Sequence, residues 1–362
     1  MGIGKNGYFT LADIKKFKCK WNIIIGERAP GKSFAVKEEG LTMAYETGKP
    51  VFGYIRRNLT EIQTAADITA YFEERGINLI EKVTHGEYTF IDYYRKYMWF
   101  ARYNEEGKIE RGTKCGEAFA LRTANNVKST GHPYLRRFIF EEFITDGEYL
   151  DKEPDKLQHL ISTLVRNDDE DVRIYMVGNT INRVCPYISH WGLVNILKQQ
   201  PGTIDKYEQV QEDGSIVEIA VEYSPPSPNA PKNLFFGSVA KSIKGGGWQT
   251  GVHPLLPEPR ENYERLYVLT WITTNDFMFN ISLLAHKKEG YTVVYIYRAK
   301  HIKERVVSQK FNTSFSWTST LDRTNPAEVC IHNLMFDNKF CFRDNLTGED
   351  FKNSLKQEKS PF

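Results

Sequence analysis

Eight residues, Gly26-Glu27-Arg28-Ala29-Pro30-Gly31-Lys32-Ser33, leave this chain few folds to choose from. They match G-x-x-x-x-G-K-[ST] in full. An apolar run, Trp21 to Ile25, precedes them, and a segment of helical character from Gly31 to Thr47 follows, with Phe34 in its first turn. A glycine-bounded turn between a buried strand and a helix presents backbone N–H groups and the positive end of the helix to an anion. In that geometry Lys32 reaches the β and γ phosphates of ATP and Ser33 helps hold Mg²⁺. The expected nucleotide site therefore runs from Gly26 to Phe34, with ATP and Mg²⁺ as its occupants.

A phosphate loop of this kind needs a strand that ends in carboxylates. Phe138-Ile139-Phe140-Glu141-Glu142 supplies one. Glu141 stands where Asp is usual and is expected to orient Mg²⁺-bound water; Glu142 is placed to polarise the attacking water as a general base. Asn179 ends a further apolar run, Val172 to Val177, and reads either as a sensor of the γ-phosphate or as a turn residue. Arg166 closes a helical segment, with four acids in the five residues after it. It reads either as an ion-paired helix end or as an arginine finger entering a neighbouring subunit. Arg56, Arg57, Lys108, Lys114 and Lys128 fall at strand ends and loops, where they are expected to contact nucleic-acid phosphates.

The chain has 362 residues, enough for two domains. Strand and helix patterns alternate over residues 1–200: Val51 to Ile55, Tyr88 to Arg102, Ile109 to Leu121, Arg137 to Phe140 and Val172 to Val177 read as strands. Leu59 to Arg75 and Leu157 to Val165 read as helices. Such alternation implies an α/β domain with a central, mostly parallel sheet. Residues 201–233 read as a linker ending in SPPSPNAPKN; its first thirty residues, 201–230, carry six acids against one lysine. Residues 234–362 read as an α+β domain opening on a three-stranded meander: Arg265 to Thr274, Phe277 to His286 and Tyr291 to Tyr297. Residues 231–362 carry 18 basic and 13 acidic side chains, a balance suited to nucleic acid.

Composition narrows the class further. The net charge of +2 excludes a polyanion-coating tail. No apolar run is long enough to span a membrane, and the first residues lack a signal-peptide core. The five cysteines are scattered, without a Cys-x-x-Cys pair, which argues against zinc and against a disulfide framework. A soluble intracellular protein is expected.

Taken in order, GERAPGKS, YIRRN, FIFEEF, LVRND and VGNT resemble the DNA-packaging ATPases of the φ29-type phages, relatives of the terminase large subunits within the additional-strand, catalytic-glutamate P-loop class. The motifs cover residues 20–190. The resemblance implies a homo-oligomeric ring, usually of five subunits, at the portal (connector) of an empty viral head in the host cytoplasm. Double-stranded DNA would be its substrate and a structural packaging RNA a further partner. It implies that Lys32, Glu141, Glu142, Arg166 and Asn179 carry the ATP chemistry. It also implies a ribonuclease-H-like C-terminal domain. A working nuclease of that type needs carboxylates in the first meander strand, but Tyr267 to Thr274 reads YVLTWITT; a binding domain without nuclease activity is expected. The competing readings are a terminase that also cuts DNA, and a nucleic-acid-binding scaffold that uses ATP only to order itself.

Overall fold

The computed structural model describes residues 4, 8–27, 31–63, 73–74, 76–127, 131–165, 171–226, 247–310, 316–358 and 360–362. Short apolar runs of Ile, Val and Phe form parallel strands buried on both faces. These are β1 (Trp21–Gly26), β2 (Phe52–Arg56), β8 (Arg137–Glu141) and β9 (Arg173–Asn179), joined by the longer β7 (Ile109–Ala120). Two antiparallel strands, β5 (Phe90–Tyr94) and β6 (Tyr97–Tyr103), extend one edge. The hairpin β10 (Thr203–Val210) and β11 (Ile216–Tyr223) extends the other, and the two-residue strands β3 (Glu73–Glu74) and β4 (Ile77–Asn78) pair apart. The nine-stranded order is β10-β11-β1-β9-β8-β2-β7-β6-β5. Strand β9 thus lies between the strand that feeds the phosphate loop and the strand that ends in Glu141.

Alternate residues of these strands face opposite layers. Ile24, Tyr54 and Ile139 pack under α1 (Lys32–Thr47), with α2 (Thr60–Gln63) and α3 (Leu79–Val83) on the same side. Ile23, Ile25, Ile55, Phe138 and Phe140 pack against α4 (Glu153–Leu164) and α5 (Pro186–His190). The expected α/β organisation is therefore present, as a large mixed sheet with a parallel centre.

Three expectations are corrected. The linker expected from residue 201 begins inside the sheet, because β11 pairs in parallel with β1 from Trp21↔Ile219 to Ile25↔Tyr223; its acids sit on a hairpin whose inward residues Ile219, Ala220 and Val221 are core. The single strand expected over Tyr88 to Arg102 is two strands. Its turn carries no Gly, Asn or Pro to announce it: Arg95 and Lys96 take φ of 48° and 68°. The helix expected from Leu59 to Arg75 is helical at Thr60–Gln63, but Glu73 and Glu74 are in a strand; residues 64–72 lie outside the described residues.

The second sheet has the order β16-β15-β12-β13-β14-β17. It is built from the antiparallel meander β12 (Tyr263–Ile272), β13 (Met278–His286) and β14 (Thr292–Arg298), with β15 (Arg305–Ser308), β16 (Ser316–Thr318) and β17 (Phe340–Phe342) added in parallel. Helices α6 (Pro326–Phe336) and α7 (Asn345–Gln357) follow its strands, and Trp271, Phe279, Phe342 and Phe351 form its aromatic core. The two sheets meet where Ser189 Oγ donates to Asn275 Oδ1 (3.1 Å) and Gln357 Nε2 donates to the Gly147 carbonyl (2.7 Å). Among the described residues no helix is long and apolar enough to cross a membrane.

Candidate nucleotide site

The parallel strands end on one side of the sheet, and the residues singled out by sequence collect there. Gly26, the last residue of β1, is in register with Asn179, the last of β9. Gly31 begins α1 at φ 89°, a left-handed conformation that side chains rarely adopt. Lys32 follows as the first helical residue. It is 4% exposed, and its ammonium donates to the Glu27 carbonyl and to Asn179 Oδ1 (3.3 Å). One cation thus spans the loop and the β9 tip. Arg28, Ala29 and Pro30 lie outside the described residues.

Ser33 hydrogen-bonds the Glu141 carboxylate, joining the loop to the end of β8. Glu141 is 4% exposed and closely held. Lys37 Nζ lies 3.0 Å from its Oε1, the Tyr54 hydroxyl donates to its Oε2 at 2.7 Å, and Arg56 Nη1 is 3.6 Å away. Burial by itself raises a carboxyl's pKa. Here Lys37, then the Tyr54 and Ser33 hydrogen bonds and the Arg56 charge, outweigh it and hold the group below its ordinary value. Burial, and next the Glu141 charge, push the Tyr54 hydroxyl well up, so it remains a donor. A hydroxyl and an ionised carboxylate side by side are the donor set that suits a hydrated Mg²⁺.

Glu142 differs from its neighbour. Its side chain is 58% exposed, and Arg56 Nη2 donates to its Oε2 at 2.9 Å. Its backbone takes φ 56°, a left-handed conformation that costs a non-glycine residue about 1–2 kcal/mol. The carboxylate of Glu142 therefore reaches solvent at the mouth of the site, while that of Glu141 is sealed beneath it.

Arg56 and Arg57 correct the expectation that they face nucleic acid. Their side chains are 5% and 8% exposed. Arg56 is shared among Glu61 (2.9 Å), Glu141 and Glu142. Arg57 forms a two-pronged pair with Glu153 (2.8 and 2.9 Å) and also donates to the carbonyls of Glu142 (3.2 Å) and Phe143 (3.1 Å). Desolvation opposes both charges, and these carboxylates offset it. Sequence offered no sign of this, because apart from Glu61 the partners lie 85 to 96 residues away. It also missed Lys37 and Tyr54. The available signal for Lys37 was spacing: it sits four residues after Ser33, on the same helix face.

Lys108 and Lys114 do not join the cluster. Lys108 is exposed at the β6–β7 turn and pairs with Glu106 at 2.7 Å. Lys114 stacks over Tyr97 and Trp99, 3.9 and 5.1 Å from their ring centres. Lys128 and Arg166 lie outside the described residues.

The family of the podovirus DNA encapsidation protein (Gp16) matches over residues 3–220. The DNA packaging proteins of Bacillus phages PZA and phi29 are each 29% identical over 178 residues, 48% of this chain. That of Bacillus phage B103 is 26% identical over 176 residues. The chain spans about half the length of the curated relatives it matches, 46% for the first two. Among solved structures, the bacteriophage Phi-29 viral genome packaging motor assembly aligns with a TM-score of 0.54 at 17% identity, covering 96% of this chain and 99% of its own. The Phi-28 gp11 DNA packaging motor aligns at 0.50 and 17%, covering 98% and 100%. At that identity the likeness is one of fold.

Proposed function

This chain belongs to the podovirus DNA encapsidation (Gp16) family, and from that premise we propose that it is an ATP-driven motor that moves double-stranded viral DNA into a preformed capsid. The observation that carries the reading is the convergence of Lys32, Ser33, Glu141, Glu142 and Asn179 at one end of the parallel strands. Strand β9 between β1 and β8 suits the additional-strand P-loop class.

The residues divide the work. The loop from Gly26 to Phe34 cradles the phosphates with its backbone N–H groups, and Lys32 exchanges its Glu27 and Asn179 contacts for the β and γ phosphates. Asn179, which accepts from Lys32 at the tip of β9, reads the γ-phosphate. Ser33 and Glu141 are the residues that would hold Mg²⁺, whose charge, when bound, offsets that of the phosphates. Glu142 orients and deprotonates the attacking water once Arg56 releases its Oε2. Arg166, from a neighbouring subunit, stabilises the transition state.

The motor acts as a ring, of five subunits by resemblance, at the portal of the capsid in the host cytoplasm. The C-terminal sheet is read as ribonuclease-H-like: an antiparallel meander with β15 and β16 added in parallel beside β12. The run Tyr267 to Thr274, along β12 and into its turn, carries no Asp or Glu, which favours a DNA-, RNA- or portal-binding domain over a terminase nuclease. Lys108 is retained as a phosphate contact from its exposed turn. The test is ATP turnover by the full chain with and without DNA: the motor reading expects DNA to stimulate hydrolysis, and a scaffold that only binds ATP would show no turnover in either condition.

A further inference from the structure

Among the described residues Arg57 touches neither the phosphate loop nor the Glu142 carboxylate, yet its side chain is bound to the backbone on which that carboxylate stands. We propose that Arg57 is a positioning residue for hydrolysis, holding Glu142 in its left-handed conformation and tying it to helix α4; the inference rests on the ATPase reading above.

The geometry is specific to a guanidinium. Nη1 donates to the Glu142 carbonyl at 3.2 Å and Nη2 to the Phe143 carbonyl at 3.1 Å. Nε and Nη2 meet the two oxygens of Glu153 at 2.8 and 2.9 Å. Two faces of one planar fork thus join the β8 tip to the first turn of α4, which an ammonium cannot do. Glu142 at φ 56° is a strained residue that persists only where its surroundings hold it. Two successive carbonyls bound by one rigid group supply that hold.

The anchor is itself fixed. Glu153 is fully buried; it accepts from the Leu150 N–H (2.8 Å) and the Tyr187 hydroxyl (3.1 Å) as well as from Arg57. The Arg57 guanidinium lies over the rings of Tyr149 and Phe140, 5.1 and 5.8 Å from their centres. Phe143 is wedged against Gly178 of β9, where an added Cβ would lie 2.8 Å from the ring. The joint therefore reaches Glu142 at one end. At the other it reaches α4, whose far end leads to Arg166, and Tyr187 of α5, whose Ser189 touches the second sheet. An ordinary buried ion pair would stabilise the fold. This one also sets where the water-activating carboxylate stands, because its remaining donors go to that residue's carbonyl and to the next one's.

Arg57→Lys keeps the charge opposite Glu153 and loses the fork. In the full chain it is expected to lower kcat by about 10- to 100-fold, the scale of a displaced catalytic group, with KM for ATP and the stoichiometry of a fluorescent ATP analogue within about twofold of wild type. The deciding arm is a double-mutant cycle with Glu142→Gln. If Arg57 acts through Glu142, Arg57→Lys causes no further loss of kcat in the Glu142→Gln background. A full multiplicative loss in that background, or an unchanged kcat in Arg57→Lys alone, overturns the proposal. Glu153→Gln, which keeps one acceptor and the side-chain volume, is the second variant and is expected to repeat the pattern more weakly. Absence of turnover in the wild-type chain itself would instead refute the ATPase reading on which this stands.

Discussion

Replacing Lys37 with Met removes the cation nearest to Glu141 while keeping the length of the side chain. At 3.0 Å, and with the effective dielectric of about 20 that suits protein sites, the pair attracts by about 5.5 kcal/mol. Part of that is recovered, since Glu141 keeps Tyr54 at 2.7 Å and Arg56 at 3.6 Å, and breaking a buried pair from one side costs about 3–5 kcal/mol. The sign with pH follows from the carboxyl. In the wild type its folded pKa lies below the ordinary value, so its stabilisation is present above that value and lost as pH falls through the folded one. Without Lys37, burial is expected to dominate and raise the folded pKa. Stability of the variant then falls as pH rises above the ordinary carboxyl value, by up to about 1.4 kcal/mol per pH unit. Urea unfolding at pH 5, 6, 7 and 8 should show a gap between wild type and Lys37→Met that is smallest at pH 5 and widens with pH to about 3 kcal/mol. A gap of constant size would mean that Glu141 is not ionised by its neighbours, and the account of this site would fail.

Arg56→Ala frees Glu142 Oε2 and removes one cation from Glu141; ATP turnover should lose its regulation by DNA, measured as the ratio of turnover with and without DNA falling toward one. Glu142→Gln keeps shape and hydrogen bonding but not the proton acceptor, and should lower kcat by ~100- to 10,000-fold with ATP binding retained, checked by single-turnover hydrolysis beside equilibrium binding. Arg166→Ala and Lys32→Ala chains, each inactive alone, should recover hydrolysis when mixed, because wild-type fingers then meet wild-type loops; demonstrably mixed rings without recovery would make Arg166 a helix-end ion pair. Wild-type chain incubated with DNA and Mg²⁺ or Mn²⁺ should leave it uncut on a gel, and nicking lost on changing Asp276 would revive a terminase.

The sequence was most legible where chemistry demands fixed spacing. The places of Lys32, Ser33, Glu141, Glu142 and Asn179 at the ends of strands were readable because each comes after a contiguous apolar run, and β1, β8, β9 and the C-terminal meander fell within a few residues of expectation. What stayed hidden depends on distant partners. Arg56 and Arg57 end an apolar strand and so read as surface charge, yet carboxylates brought by β8 and α4 bury them. Lys37 reads as a solvated helix lysine until Glu141 is placed over it. The β10–β11 hairpin was concealed by its acids: its tip is charged and exposed, and only the second half of β11, Ile219 to Tyr223, is buried. Arg95 and Lys96 hid a turn because their residue types are not those that left-handed positions favour.

The measurement that bears hardest on the proposed motor is encapsidation itself. Purified chain, empty capsids bearing their portal, and linear double-stranded DNA are mixed with ATP, and the DNA that survives nuclease is counted over time. The wild-type chain should protect DNA progressively and only while ATP is hydrolysed, whereas Lys32→Ala and Glu142→Gln should protect none. Protection that proceeds equally without hydrolysis, or wild-type rings that hydrolyse ATP at the portal and protect no DNA, would contradict the account.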